Sequence, residues 1–289
     1  MARARHVGPV LVALVAAVGI GAQPDAHVAE ASTRGCTAPP VTTPIAGTSS
    51  EVDANRPATE LYDDFTGPAG DPPDPEKWTV GEGAGLDHGS ETYVASNAVL
   101  DGAGHLALTA DKTDSGYVSG FVDTRGKAAF SFGTLVARIK VPSGQGLWPA
   151  FWLMGGDEET HPWPGAGEID VVEMVSDPTT WYSSLHGPIP DAKNFLQVQM
   201  TGESVDLSAD FHDYWLIHEQ DRIITGVDDI VWADFTPASL PDTATWVYNK
   251  PFCVFLNLAV GGEWAGQPDS STPFPATMLV DWVHWTPGA

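Results

Sequence analysis

The sequence predicts an all-β domain built as an antiparallel β-sandwich, and three observations predict it. Its apolar segments are short and alternate with period two. Gly, Pro and Asp interrupt them at close intervals, and no long stretch carries helical periodicity. Strands of this kind bury their apolar faces by packing one sheet on another. The chain has 289 residues, 43% hydrophobic and 10% aromatic, enough for one substantial core.

Residues 1–31 open with Arg3 and Arg5, followed by a weakly apolar run over 7–22 and then small residues. This is the layout of a secretory signal peptide, with cleavage fitting after Ala22 or after Ala31. Arg34 spoils a lipoprotein-type box at Cys36, so no lipid anchor is expected. Residues 32–59 are rich in Thr, Pro, Ser and Ala and read as a flexible linker. The folded domain is expected over 60–289.

Leu61-Tyr62-Asp63-Asp64-Phe65 opens the domain as a strand. Residues 93–110 read as two strands around the turn Asp101-Gly102-Ala103-Gly104, and the stretches 120–124, 129–132 and 134–141 continue the sheets. In the last of these, Leu135, Ala137 and Ile139 share one face. A strand is expected at 181–186, a hairpin pair at 211–219 and 222–232, a nearly continuous apolar strand at 252–260, and a closing strand at 278–285. Only two cysteines are present, Cys36 in the linker and Cys253 in the apolar run. A secreted chain permits a disulfide between them, so a buried thiol and a tether to Cys36 both stand open.

The chemistry concentrates in Gly167-Glu168-Ile169-Asp170-Val171-Val172-Glu173-Met174. In a regular strand Glu168 and Asp170 share a face and Glu173 points away. A β-bulge at Val171-Val172 absorbs one residue and returns Glu173 to its companions. Paired carboxylates on one surface are what glycoside hydrolysis requires, one attacking or activating water and the other protonating the leaving oxygen. The bland alternative is an edge strand with solvated acids. It is outweighed by the flanks, Trp148-Pro149-Ala150-Phe151-Trp152 and Trp163-Pro164, where indoles beside acids are natural sugar-stacking platforms.

Trp148-Pro149-Ala150-Phe151-Trp152, then Trp163-Pro164, Gly167 and E-I-D-V-V-E, resemble glycoside hydrolase family 16 in its laminarinase-like, bulged form. The resemblance extends over 61–285. It implies a concanavalin-like jelly roll whose concave face is the substrate cleft, with Glu168 as nucleophile, Glu173 as acid/base and Asp170 orienting between them. It further implies substrate contacts from Trp148, Trp163, His186, Trp264 and Asn97, and strand alternation puts Trp152 on the side of Trp148, to line the cleft or support it. No catalytic cofactor is implied. A structural Ca²⁺ held by Asp64, Gly104 and Asp281 is, since hard oxygen ligands suit that ion.

With a net charge of −25, the chain would repel nucleic acid and anionic membranes. A neutral β-glucan is the better-matched partner. No stable membrane association is expected, and the default state is a monomer. The resemblance therefore implies a secreted, retaining endo-β-1,3-glucanase, with β-1,3/1,4 cleavage, transglycosylation or galactan hydrolysis as alternatives on the same fold. A non-catalytic glucan-binding module is disfavoured because both glutamates are present. One departure stands out. Many laminarinases carry Arg where this chain has Phe121, and Phe donates no hydrogen bond to a sugar.

Overall fold

The computed structural model describes residues 61–86, 88–190 and 195–288, so the expected signal peptide, the linker and Cys36 lie outside the described residues. The first half supplies β1 (Leu61–Asp63), β2 (Thr79–Val80), β3 (Gly83–Ala84), β4 (Glu91–Tyr93), β5 (Ala98–Leu100), β6 (Leu106–Thr113), β7 (Gly116–Ser119), β8 (Phe121–Asp123) and β9 (Gly133–Lys140). The second supplies β10 (Leu147–Gly155), β11 (Glu168–Glu173), β12 (Thr180–His186), β13 (Leu196–Glu203), β14 (His212–Glu219), β15 (Arg222–Val227), β16 (Ile230–Phe235), β17 (Phe252–Val260) and β18 (Ala276–Pro287). Among the described residues there is one α-helical turn, α1, Gly262–Ala265.

These strands form two sheets. A seven-stranded sheet runs β13-β12-β11-β10-β17-β8-β2, and an eleven-stranded sheet is built around β14-β9-β18-β6. All pairings are antiparallel except β4 with β7. The core lies between the sheets. From the larger come Leu135, Ala137 and Ile139, as their alternation predicts, and from the smaller come Phe151, Leu153, Ile169, Val254, Leu256 and Leu258. Each of these is at most 2% exposed. Because side chains alternate, burying Phe151, Val254 and Leu256 inward turns Trp152, Cys253 and Phe255 to the other face of the seven-stranded sheet.

Two expectations are corrected in detail. The stretch 129–132 is no strand and makes only an isolated bridge, Phe130 to Phe252, because Phe132 takes a positive φ of 48° before Gly133. The run 222–232 is two strands, since Asp228, at φ 49°, turns the chain between β15 and β16. Cys253 is fully buried and disulfide-bonded, which excludes the free thiol.

Candidate active site

β11 carries the expected bulge. On its β10 side, Phe151 pairs Val172 and Trp152 pairs Asp170, leaving Val171 as the extra residue. On its β12 side the register jumps from Asp170↔Ser184 to Glu173↔Tyr182. The consequence is a change of phase. Glu168, Asp170 and Glu173 stand opposite Met154, Trp152 and Ala150 on one neighbour and His186, Ser184 and Tyr182 on the other, alternate residues in both cases. All three acids therefore share the outward face. Ile169, Val171 and Val172 are packed in the core behind them.

Both glutamates are gripped by an indole. Trp163 Nε1 donates to Glu168 Oε2 at 2.8 Å, and Trp148 Nε1 donates to Glu173 Oε1 at 3.0 Å. Each bond fixes one carboxylate oxygen and so orients the other. Trp163 rests edge-on against Phe195 at 5.2 Å between centroids. Trp148 meets Trp264 edge-to-face at 4.9 Å, and Trp264 meets Tyr182 at 4.8 Å. Trp264 is 43% exposed on α1, beside Glu173, an open aromatic face where most tryptophans of the chain are covered.

Asp170, 2% exposed, places Oδ2 3.2 Å from His186 Nε2, and Glu168 Oε1 is 4.0 Å from the same nitrogen. Burial alone would lower the imidazole's pKa, but Glu168, Asp170 and Glu173 together outweigh it and push it up to about 10. His186 is thus a cation in neutral solution, and it offsets part of the charge of three neighbouring carboxylates. Its main chain is braced from behind by Tyr248, whose hydroxyl lies 3.0 Å from the His186 carbonyl and 2.7 Å from Gln197 Oε1.

Across the sheet, the row Ser184, Asp170, Trp152, Phe255, Asp123 crosses five strands in register. Trp152 is held edgewise by Asn257, whose Oδ1 accepts its Nε1 hydrogen at 2.7 Å, and it stacks on Phe255 at 4.3 Å. Asn257 Nδ2 in turn donates to the Tyr93 hydroxyl at 3.1 Å. Phe121 is 6% exposed and packs with Tyr93 and Phe255.

This geometry can be set beside known proteins. The family model described as Glycosyl hydrolases family 16 matches residues 87–284. The chain belongs to that family. A β-glucanase from Rhodothermus marinus is 33% identical over 231 residues, covering 73% of this chain and 79% of the relative. Among solved structures, the endo-β-1,3-glucanase from Pyrococcus furiosus superposes with a TM-score of 0.70 at 34% identity, over 79% of this chain and 94% of that one. The laminarinase catalytic domain from Thermotoga maritima gives 0.72 at 29% identity, over 79% and 97%. The family 16 domain is thus a glycoside hydrolase with the jelly-roll fold of these neighbours.

Not every predicted site residue of the family 16 domain joins the acids. Glu168, Asp170, Glu173, Trp148, Trp152, Trp163, His186 and Trp264 converge. Asn97 does not. It lies in a short 3₁₀ turn and donates from Nδ2 to the Thr109 carbonyl at 2.7 Å, which clips it to the larger sheet. The calcium residues fit an ion poorly. Asp64 accepts the Thr66 amide at 3.2 Å, and Asp281 Oδ2 lies 3.3 Å from the Arg138 guanidinium, so a resident cation already faces one of the two carboxylates. Two carboxylates and the Gly104 carbonyl also fall short of the six to eight oxygens that Ca²⁺ takes. Sequence reasoning missed Tyr182, Asn257 and Tyr248. Tyr182 was within reach, because counting back from His186 in steps of two passes Ser184 and Tyr182.

Proposed function

We propose that this chain is a secreted, endo-acting β-glucan hydrolase that cuts internal β-1,3 linkages, with β-1,3/1,4 linkages as the nearest variation, by retaining double displacement. The observation that carries the reading is the bulge in β11, which sets Glu168 and Glu173 on one face, each bonded to its own indole. Glu168 attacks the anomeric carbon while Glu173 passes its proton to the glycosidic oxygen, and the C–O bond to the departing chain breaks. The result is a glycosyl ester on Glu168. Glu173, now a carboxylate, takes a proton from water. The hydroxide equivalent attacks the same carbon, Glu168 departs, and the product keeps its β configuration. Asp170 stands between the two, with Oδ2 3.2 Å from His186 Nε2. Crowding of like charge on this face favours one of the two glutamates holding the proton the first step needs.

The exposed Trp264, with Trp148 and Tyr182, offers a stacking face beside Glu173, and Trp163 and Trp152 offer others beside Glu168 and Asp170. A neutral polysaccharide suits a chain of net charge −25. The signal-like residues 1–31 support export, and we take the enzyme to act as a monomer without a membrane anchor. No step is assigned to an ion. A melting temperature that rises by several degrees with Ca²⁺ and returns with a chelator would restore the calcium site. The activity is tested by reducing-end release from laminarin, mixed-linkage β-glucan, agarose and carrageenan, with Glu168→Gln beside each. Glu168-dependent release from laminarin is expected. Release from a galactan alone, or release surviving Glu168→Gln, would overturn the reading.

A further inference from the structure

Arg125 is a charged residue over the outward face whose chemistry the mechanism leaves unused. It follows β8, and its side chain returns over the seven-stranded sheet. Its guanidinium carbon lies 4.9 Å from the centre of the Phe255 ring, and one of its N–H groups bonds Asp123 Oδ2 at 2.9 Å. The backbone holds it as well, since the Arg125 amide donates to Asp123 Oδ1 at 2.7 Å and its carbonyl accepts from Thr79 Oγ1 at 3.2 Å. Glu158 brings a carboxylate oxygen to 3.9 Å. Asp123 is fully buried, whereas Arg125 and Glu158 are 21% and 31% exposed, so solvent reaches these two but not the anchor beneath them.

A guanidinium has five N–H donors in a rigid fork. One side-chain donor here goes to Asp123, and no second hydrogen bond from this guanidinium forms among the described residues. The group is therefore pre-positioned with donors to spare. Its location is set by strand register. Asp170, Trp152, Phe255 and Asp123 lie on one transverse row, and the Arg125 guanidinium sits over Phe255, two strand spacings from the catalytic strand, about 10 Å at ~4.8 Å each. It lies on the side of β11 away from β12 and His186. A chain crossing the strands at about one sugar unit per ~4.8 Å strand spacing would meet it about two units beyond the sugar held at β11.

We infer that Arg125, backed by Asp123 and flanked by Glu158, is a specificity-determining residue that hydrogen-bonds the hydroxyls of a distal sugar on the side of the cleft opposite His186. This rests on the proposed activity and goes beyond it. The donor–acceptor pair Arg125/Glu158 suits vicinal hydroxyls of a neutral sugar, one donating and one accepting. Phe121, buried against Phe255, cannot make such a bond. Arg125, four residues on from Phe121, offers such donors over the same Phe255 ring.

The test compares the unmodified chain with Arg125→Lys on aryl β-1,3-oligosaccharides that share one leaving group and carry two, three or four glucosyl units. Lysine keeps a cation beside Asp123 but loses the fork, so the fold is retained where Arg125→Ala would leave a fully buried carboxylate alone. For the three- and four-unit substrates KM should rise about tenfold, the low end for a hydrogen bond to a charged group, with kcat nearly unchanged. The two-unit substrate should be unaffected. An equal effect at every length, a loss in kcat alone, or no effect in a folded variant would overturn the inference. Titrating the same sugars into Glu168→Gln chains, with and without Arg125→Lys, reads binding without turnover. Arg125-dependent binding by a chain that releases nothing would sink the activity and keep this inference, and Arg125-independent binding would sink this inference alone.

Discussion

Replacing Trp163 by Phe removes one N–H donor from Glu168 and keeps an aromatic ring against Phe195. A hydrogen bond to a carboxylate stabilises the ionised form, so its loss raises the pKa of the group that accepted it. Such a bond is worth about 1.5–3 kcal/mol, and one pKa unit corresponds to about 1.36 kcal/mol, which brackets the shift at roughly one to two units. The Glu168 side chain is 19% exposed, so water restores part of the loss and the lower figure, about one unit, is the expectation. Glu168 must be ionised to attack. The acidic limb of kcat/KM against pH therefore moves up by about one unit, while the plateau changes little. Trp148→Phe makes the mirror case. It removes the donor to Glu173, which must be protonated to act, so the basic limb moves up and activity persists to higher pH. The limbs report the coupled carboxylates as a set, but the two substitutions act on opposite limbs. The assay is kcat/KM on soluble laminarin from pH 4 to 10. Limbs that stay put in both folded variants, or move down, would refute the idea that the indoles tune the acids.

Other substitutions probe different parts of the molecule. His186→Asn should destabilise the fold most at low pH. The imidazole's pKa is raised to about 10 from an ordinary 6.5, so its stabilising contribution is complete below pH 6.5 and fades as pH climbs to 10. The gap in melting temperature between variant and parent should close over that window, and a gap that widens with pH would reject the assigned charge. Trp264→Ala should raise KM for long glucans several-fold, as lost aromatic stacking of ~1 kcal/mol requires, and lower the melting temperature by a few degrees because the ring also packs on Trp148 and Tyr182. Gly120→Ala would bring a Cβ to 2.1 Å from the Asn97 carbonyl oxygen, against backbone that cannot yield easily. A loss of about 1–3 kcal/mol, roughly 3–10 °C in thermal melts, is expected.

Much of the fold was legible because the chain writes its two faces in alternation. Leu135, Ala137 and Ile139 point inward as their spacing says, and β17 reads as one apolar run because both of its faces are covered. The bulge was legible for a different reason. Three acids out of phase in an apolar strand are tolerable only if a local irregularity brings them into register, and Val171 is that irregularity. What stayed hidden depends on contacts between distant segments. Asn97 sits where a cleft residue is expected, but its amide reaches the Thr109 carbonyl twelve residues on. Tyr248 and Asn257 act through partners 62 and 105 residues away in sequence, His186 and Trp152. The same holds for Arg125, whose place over Phe255 arises only when β8 and β17 pair. A short element fixed by backbone angle, such as the helix at Gly262, carries no periodic signal to read.

The most direct test of the central claim, that Glu168 attacks and Glu173 protonates from one bulged strand, is proton NMR of the first product released from a soluble β-1,3-glucan. Signals are followed before the new reducing end has time to mutarotate. Double displacement predicts the β-anomer first, with the α-anomer growing in only as the solution equilibrates. An α-anomer appearing first would mean a single displacement by water, and Glu168 would then be a base rather than the nucleophile.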